Sequence, residues 1–439
     1  FMDYIISQKS SSLNGTLKVP GDKSISHRAL IITSMCIGTS KIDGLLESED
    51  VFSTMSALKN LGVKIRSNDN SYFVEGVGIC GFKSPNNFID LGNSGTGIRL
   101  LLGAIMGSNI IVNFKGDVSL SKRPMERVLS PLRHMGANII SSNEGKLPIS
   151  IEGPKEVLPI NYSSKISSAQ IKSSVLLSGL SSSGKTIFTE PNESRNHTEK
   201  MLSKFGAKIS SKTLENGSNV IELEGRPLLV SKDIFVPGDP SSASFPIVAA
   251  LITPNSKIEI HNVMINHARS GLFETLQEMG AKLKIFNKKR VNNEVTATIY
   301  AEYSKLKGTS VPSDRAPRMI DEYPILSMAA ACAEGKTIMN GISELRVKES
   351  DRIKIVSNGL NKVGIKTVEK PDSLEIFSGE IIGGCSIDSE LDHRIAMSFL
   401  ILGLVSNKPI KVLRSSTIKT SFPNFFEIML NLGSKLVKG

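Results

Sequence analysis

The 439-residue sequence has no tryptophan, 5% aromatic residues and only four cysteines. So few rings leave little from which to build a base-stacking platform for nucleic acid or an aromatic sugar trough. Cys36, Cys80, Cys332 and Cys385 lie far apart with no CxxC or Cys/His spacing, so neither a disulfide framework nor a zinc site is supported. A reducing, cytoplasmic setting is expected. His27, His134, His197, His261, His267 and His393 never fall at metal-ligand spacing, and no metal or cofactor is expected. No apolar run reaches the roughly 18 residues of a membrane span, so no membrane partner is expected. Phe1 precedes Met2, so Met2 is read as the native start, and no secretory signal pattern follows it.

What is present is 40% hydrophobic residues, too many for a disordered chain, in a length too great for one comfortable core. Two domains, or one large repetitive one, are expected. The balance of 53 Lys+Arg against 42 Asp+Glu leaves +11, which permits an anionic partner without naming one.

A repeat lies in the punctuation. A bulky apolar residue, a glycine and a short strand-like segment recur six times, at Leu61-Gly62, Met135-Gly136, Phe205-Gly206, Met279-Gly280, Val363-Gly364 and Leu432-Gly433. Glycine just past a helix accepts the left-handed conformation that satisfies the last carbonyls, so each copy reads as a helix end followed by a strand. Six units of about 73 residues account for the chain. Each unit also carries a helix apolar nearly all round, starting near Ala29, Ile98, Ile171, Ala243, Ile325 and Ile395. Polar motifs stand directly before these helices: Gly21 to Arg28, Gly92 to Gly97, Ser167 to Gln170, Gly238 to Ser242, Asp321-Glu322 and Asp392 to Arg394. Any one could be an ordinary N-cap, but six in register, most with Lys or Arg nearby, favour a shared anion site at helix starts.

Two familiar patterns match by letter and fail by context. Gly179 to Thr186 fits the Walker A string, but an apolar helix precedes it and a strand follows, the reverse of a phosphate-binding loop. Gly76 to Gly81 fits GxGxxG, but Pro85, Asn86 and Asn87 follow where a helix is required. The prolines and glycine of Val236 to Pro240 divide three units from three, and a ligand cleft is expected between the halves.

With these motifs aligned, the chain resembles the enolpyruvyl transferases, in the branch acting on shikimate 3-phosphate. The resemblance spans essentially the whole sequence. Its carriers are Lys23-Ser24-Ile25-Ser26-His27-Arg28, Leu91-Gly92-Asn93-Ser94-Gly95-Thr96, Arg123-Pro124-Met125, Ser168-Ala169-Gln170-Ile171-Lys172, Val347-Lys348-Glu349-Ser350-Asp351-Arg352, Asp392-His393-Arg394 and Lys419-Thr420-Ser421-Phe422-Pro423. It implies an α/β fold of two similar domains, each of three βαβαββ units in an inverse α/β barrel-like arrangement. The expected domains are residues 1–19 with 239–439, and 20–238, with hinge crossings near 20 and at 236–239 that close the halves over substrate.

The implied reaction moves the carboxyvinyl group of phosphoenolpyruvate to the 5-hydroxyl of shikimate 3-phosphate and releases phosphate. Both substrates carry a carboxylate and a phosphate, which calls for convergent Lys and Arg. By resemblance, Lys23, Gly95, Arg123, Gln170, Arg352, Arg394 and Lys419 hold phosphoenolpyruvate, and Lys23, Ser24, Arg28, Ser168, Ala169, Gln170, Arg195, Asp321 and Lys348 hold shikimate 3-phosphate. Asp321 is the expected base for the hydroxyl, Glu349 the acid for the methylene carbon, and Lys23 assists phosphate departure.

Glyphosate is expected to compete with phosphoenolpyruvate. Ala169 and the segment Arg195 to Glu199 resemble a subgroup often called class II, Gly95 keeps a small residue, and Leu100 stands where proline is common. A monomer acting on small molecules, without nucleic acid, is expected. The sister reaction on UDP-N-acetylglucosamine is one alternative, although Gly116 to Arg123 lacks the loop cysteine typical of that branch. A non-catalytic polyanion binder using Lys282, Lys284, Lys288, Lys289 and Arg290 is another, and predicts steep salt dependence.

Overall fold

The computed structural model describes residues 3–291 and 293–439. The reading of Phe1 and Met2 lies outside the described residues. The chain divides into two compact units, one of residues up to Pro20 with Pro237–Gly439, the other of Gly21–Val236. Among the described residues no helix is long and apolar enough to cross a membrane.

Each unit holds three four-stranded sheets of one topology. In Gly21–Val236, strand Ile89–Asp90 runs parallel to Ile111–Lys115, which pairs antiparallel with Lys146–Glu152, which pairs antiparallel with Asn138–Asn143. A parallel pair needs a crossover, and helix Gly95–Ala104 supplies it. Helices Ala169–Gly179, Tyr323–Ala331 and His393–Gly403 do the same in three other sheets.

The other two sheets take a strand from elsewhere in the chain. Ile234–Phe235 leads the sheet that follows helix Lys23–Ser34, and Asn14–Lys18 leads the one that follows Pro240–Ile252. Tyr4–Gln8 lies between Ile410–Leu413 and Lys435–Lys438 and completes a third. The expected βαβαββ unit is therefore present six times, with three strands supplied out of sequence order.

The six glycine signals fold alike. Gly62, Gly136, Gly206, Gly280, Gly364 and Gly433 all have φ between +86° and +109°. The N–H of each following residue reaches back five residues to a helix carbonyl, as in Val63 to Leu58 and Ala281 to Leu276. This is the Schellman closure, which satisfies carbonyls a helix end leaves unpaired. The Walker-like segment is the turn between helix Ala169–Gly179 and strand Lys185–Glu190, and no helix follows Gly81.

One expectation needs correction. The apolar helices begin earlier than their apolar runs, at Lys23, Gly95, Ala169, Pro240, Tyr323 and His393. Much of five of the polar motifs lies inside the first turns, because the cap falls further upstream, whereas Asp321-Glu322 stays just before its helix. Asp22 accepts from Ile25 N at 2.7 Å, Asp239 from Ser241 N at 2.8 Å and Asp392 from Arg394 N at 2.9 Å, while Ser94 and Ser168 cap their own helices.

A Cβ at Gly280 would meet nothing within 4 Å, so Gly280→Ala isolates the cost of left-handed backbone. It is expected to destabilise the protein by about 1–2 kcal/mol, and Gly280→Asn by less, in urea unfolding.

Candidate active site

Within Gly21–Val236, three helix starts share side chains. Lys23, at the head of Lys23–Ser34, pairs with Asp50 of helix Glu49–Asn60. One turn on, Arg28 is 2% exposed. Its Nε donates to Thr198 Oγ1 at 2.8 Å, one terminal nitrogen to the Ser24 carbonyl at 2.9 Å and the other to Ser173 Oγ at 2.7 Å. Arg195 donates to Ser24 Oγ at 3.2 Å. Ser24, Arg28 and Arg195 thus form one group, held against the helix that Ser168 caps and whose first residues are Ala169 and Gln170.

The second group surrounds Gly95. Arg123 is buried and donates to Asn93 Oδ1 and, at 3.3 Å, to Ser119 Oγ. A Cβ on residue 95 would stand 2.8 Å from the Arg123 guanidinium and 3.5 Å from that of Arg99. A side chain at residue 95 would therefore displace the Arg123 guanidinium. Gln170 joins this group, accepting from Arg99 and donating to Thr96 Oγ1 at 2.9 Å. Arg99 was missed by the sequence reading. Its signal was available: one charge in an apolar helix, a single turn after Gly95.

Within the other unit, Arg352 is the hub. It begins helix Arg352–Lys362, is 1% exposed, and meets three carboxylates: Asp392 at 2.8 Å, Glu349 at 2.6 Å and Asp321 at 3.2 Å. Burial alone would lower its pKa, but Asp392, Glu349 and Asp321 outweigh that and hold it above its ordinary value. Asp392 is fully buried, whereas Asp321 and Glu349 are partly exposed. One edge of the guanidinium is therefore fixed, and the other faces carboxylates that an incoming anion can displace.

Arg394 Nε lies 3.7 Å from Asp321. Lys348, half-buried beside this group, has its pKa lowered by burial against the opposing pull of Asp321 and Glu344. The neighbouring Glu322 turns inward to accept from Ser241 Oγ, so of the Asp321-Glu322 pair only Asp321 joins the cluster. Lys419 is exposed on the Ser415–Thr420 turn, whose Thr420 hydroxyl meets His393 Nδ1 at 3.1 Å. The sequence reading quoted Asp392 in a motif but missed its part as the anchor of Arg352.

The fold is that of the enolpyruvyl transferase NikO from Streptomyces tendae, which superposes with a TM-score of 0.78, covering 100% of this chain and 99% of that one, at 16% identity that speaks to fold alone. EPSP synthase from Acinetobacter baumannii is nearer, at a TM-score of 0.87 and 40% identity over the full length of both chains. A family profile described as EPSP synthase (3-phosphoshikimate 1-carboxyvinyltransferase) matches residues 7–429. Relatives of that name from Chelativorans sp. (strain BNC1) and Bartonella henselae are 48% and 47% identical, covering 98% of this chain and 97% and 98% of their own. The chain belongs to the EPSP synthase family, and its activity is 3-phosphoshikimate 1-carboxyvinyl transfer, a step of the shikimate pathway.

His27 is buried beside Lys23 and Arg28, and its Nδ1 meets Thr54 Oγ1 at 2.8 Å. Burial, then the charges of Lys23 and Arg28, against Asp22, push its pKa well below 6.5. A base whose pKa is depressed by folding contributes fully above its unfolded pKa and costs stability as pH falls below it, because only the unfolded chain takes the proton. Between pH 6.5 and 5 the protein is expected to lose up to about 1.4 kcal/mol per pH unit from this group, a loss absent in His27→Asn when thermal midpoints are compared.

Proposed function

We propose the following division of labour for the reaction. Asp321 takes the proton of the 5-hydroxyl of shikimate 3-phosphate as that oxygen attacks C2 of phosphoenolpyruvate, and Glu349 gives a proton to the methylene carbon. In the tetrahedral adduct Glu349 takes that proton back, the double bond re-forms, and the C2–O bond to phosphate breaks with Lys23 balancing the charge that leaves. Arg123, Arg352, Arg394, Lys419, Gln170 and Lys23 hold phosphoenolpyruvate, with Gly95 making room for Arg123. Ser24, Arg28, Ser168, Ala169, Gln170, Arg195 and Lys348, with Lys23 and Asp321, hold shikimate 3-phosphate. Arg28, held by Thr198, Ser173 and the Ser24 carbonyl, also orients Ser24.

The observation that carries this reading is the pairing of buried Arg352 with both proposed proton carriers. A substrate anion that engages Arg352 competes directly with Asp321 and Glu349, so binding frees the two groups for proton transfer. Pro20 and Val236 to Asp239, where the chain passes between units, are proposed as hinges. The enzyme is read as a cytoplasmic monomer: Cys36, Cys80, Cys332 and Cys385 are all free thiols, which suits a reducing compartment, and both substrate sets come from one chain. Sedimentation at working concentration tests the monomer.

Phosphate release with both substrates is expected to fall about 10²–10⁴-fold in kcat for Asp321→Asn, with KM changed far less. Gly95→Ala, by displacing Arg123, is expected to raise KM for phosphoenolpyruvate and leave that for shikimate 3-phosphate nearly unmoved. Glyphosate titrated against varied phosphoenolpyruvate should give competitive inhibition, and a noncompetitive pattern would remove the shared site.

A further inference from the structure

The motif Ser168 to Lys172 contributes Ser168, Ala169 and Gln170 to the proposed site, but its last residue has no part in the reaction so far. Lys172 lies on helix Ala169–Gly179 with its side chain fully buried. Its ammonium is 2.9 Å from Glu190 Oε1 and 2.8 Å from Glu199 Oε1, and donates to the Ser194 carbonyl at 3.2 Å. Two hydrogen bonds, to Glu190 and the Ser194 carbonyl, and an ion pair with Glu199 make the buried ammonium tolerable. Glu190 also accepts from Ser194 N at 3.1 Å, Ser194 Oγ at 2.6 Å and Asn219 Nδ2 at 3.1 Å. The whole segment from Glu190 to Glu199 is thus fastened to the helix through one cation.

That segment carries side chains of the site. Arg195 follows Ser194 and donates to Ser24 Oγ, while Thr198 precedes Glu199 and accepts from Arg28 Nε. Ser173, next to Lys172 on the helix, accepts from Arg28 and meets Thr198 Oγ1 at 2.6 Å. Gln170, two residues earlier, is bonded instead to Thr96 and Arg99. One helix therefore serves two groups through different residues.

We propose that Lys172 is a positioning residue for shikimate 3-phosphate, setting Arg195, Thr198 and through them Arg28 and Ser24. Its single positive charge also offsets one of the two negative charges of the buried Glu190 and Glu199, which would otherwise oppose an anionic ligand more strongly. The inference rests on the assignment of Ser24, Arg28 and Arg195 to that substrate.

The test uses the full-length variants Lys172→Met, Glu190→Gln and, as reference, Arg195→Met. Binding of shikimate 3-phosphate is measured by calorimetry, and KM for each substrate by phosphate release. Lys172→Met and Glu190→Gln are expected to weaken shikimate 3-phosphate binding about tenfold or more, through misplaced contacts, while KM for phosphoenolpyruvate stays within about twofold. A purely structural role would lower the thermal midpoint and the active fraction but leave both constants in place. If Lys172→Met does not fold, Glu190→Gln, which keeps the Lys172–Glu199 pair, decides alone. Unchanged affinity in the folded variants, or an equal rise in both KM values, overturns the inference when Arg195→Met weakens binding. Unchanged affinity in Arg195→Met overturns the assignment beneath it.

Discussion

A helix buried on every side carries its unpaired N-terminal donors into the protein with it. Six helices here are in that position, from Lys23–Ser34 to His393–Gly403. Water is kept from most of their length, so in five of them Asp22, Ser94, Ser168, Asp239 and Asp392 close the first turn from within, while Tyr323–Ala331 has no side-chain cap and carries Pro324, which lacks an N–H, in its first turn. Once caps are obligatory, polar residues accumulate at the same place in each repeat. The positive end of the helix then favours carboxylates and, where cations are added, phosphorylated acids.

The two units meet this constraint differently. In Gly21–Val236 the buried guanidinium of Arg28 has neutral oxygens of Thr198, Ser24 and Ser173 among its partners. In the other unit Arg352 is surrounded by carboxylates and its charge is more than balanced. A balanced group with exposed carboxylates suits exchange, in which an arriving anion and a departing one trade places on the same nitrogen atoms.

The repeat was readable because its signals are local. Each apolar-Gly pair closes a helix through bonds that span five residues, and nothing distant can overrule a left-handed glycine. The true helix starts were less readable, because His27 and Arg28 look like surface residues until their partners are known. Those of Arg28 lie 145 and 170 residues away. Lys172 is a similar case: its partners Glu190, at the end of the next strand, and Glu199, beyond it, are not evident from the residues around it. Family resemblance located Asp321, Glu349, Arg352 and Arg394, but only the structure reveals that Arg352, anchored by Asp392, joins Asp321 and Glu349 into one cluster.

The three strands supplied out of order impose a schedule on synthesis. Gly21–Val236 has all of its strands as soon as Ile234–Phe235 has left the ribosome. The other unit does not: Asn14–Lys18 waits for Lys257–Met264, and Tyr4–Gln8 waits for Ile410–Leu413 and Lys435–Lys438. At about 5–20 residues per second, Tyr4–Gln8 stays unpaired for roughly 20–80 seconds while an entire unit folds beside it. Tyr4–Gln8, with its alternating buried side chains, is then an unprotected β-edge on the nascent chain. Chaperone demand should therefore concentrate on the stretch from Tyr4 to Lys18, although it is made long before its partners.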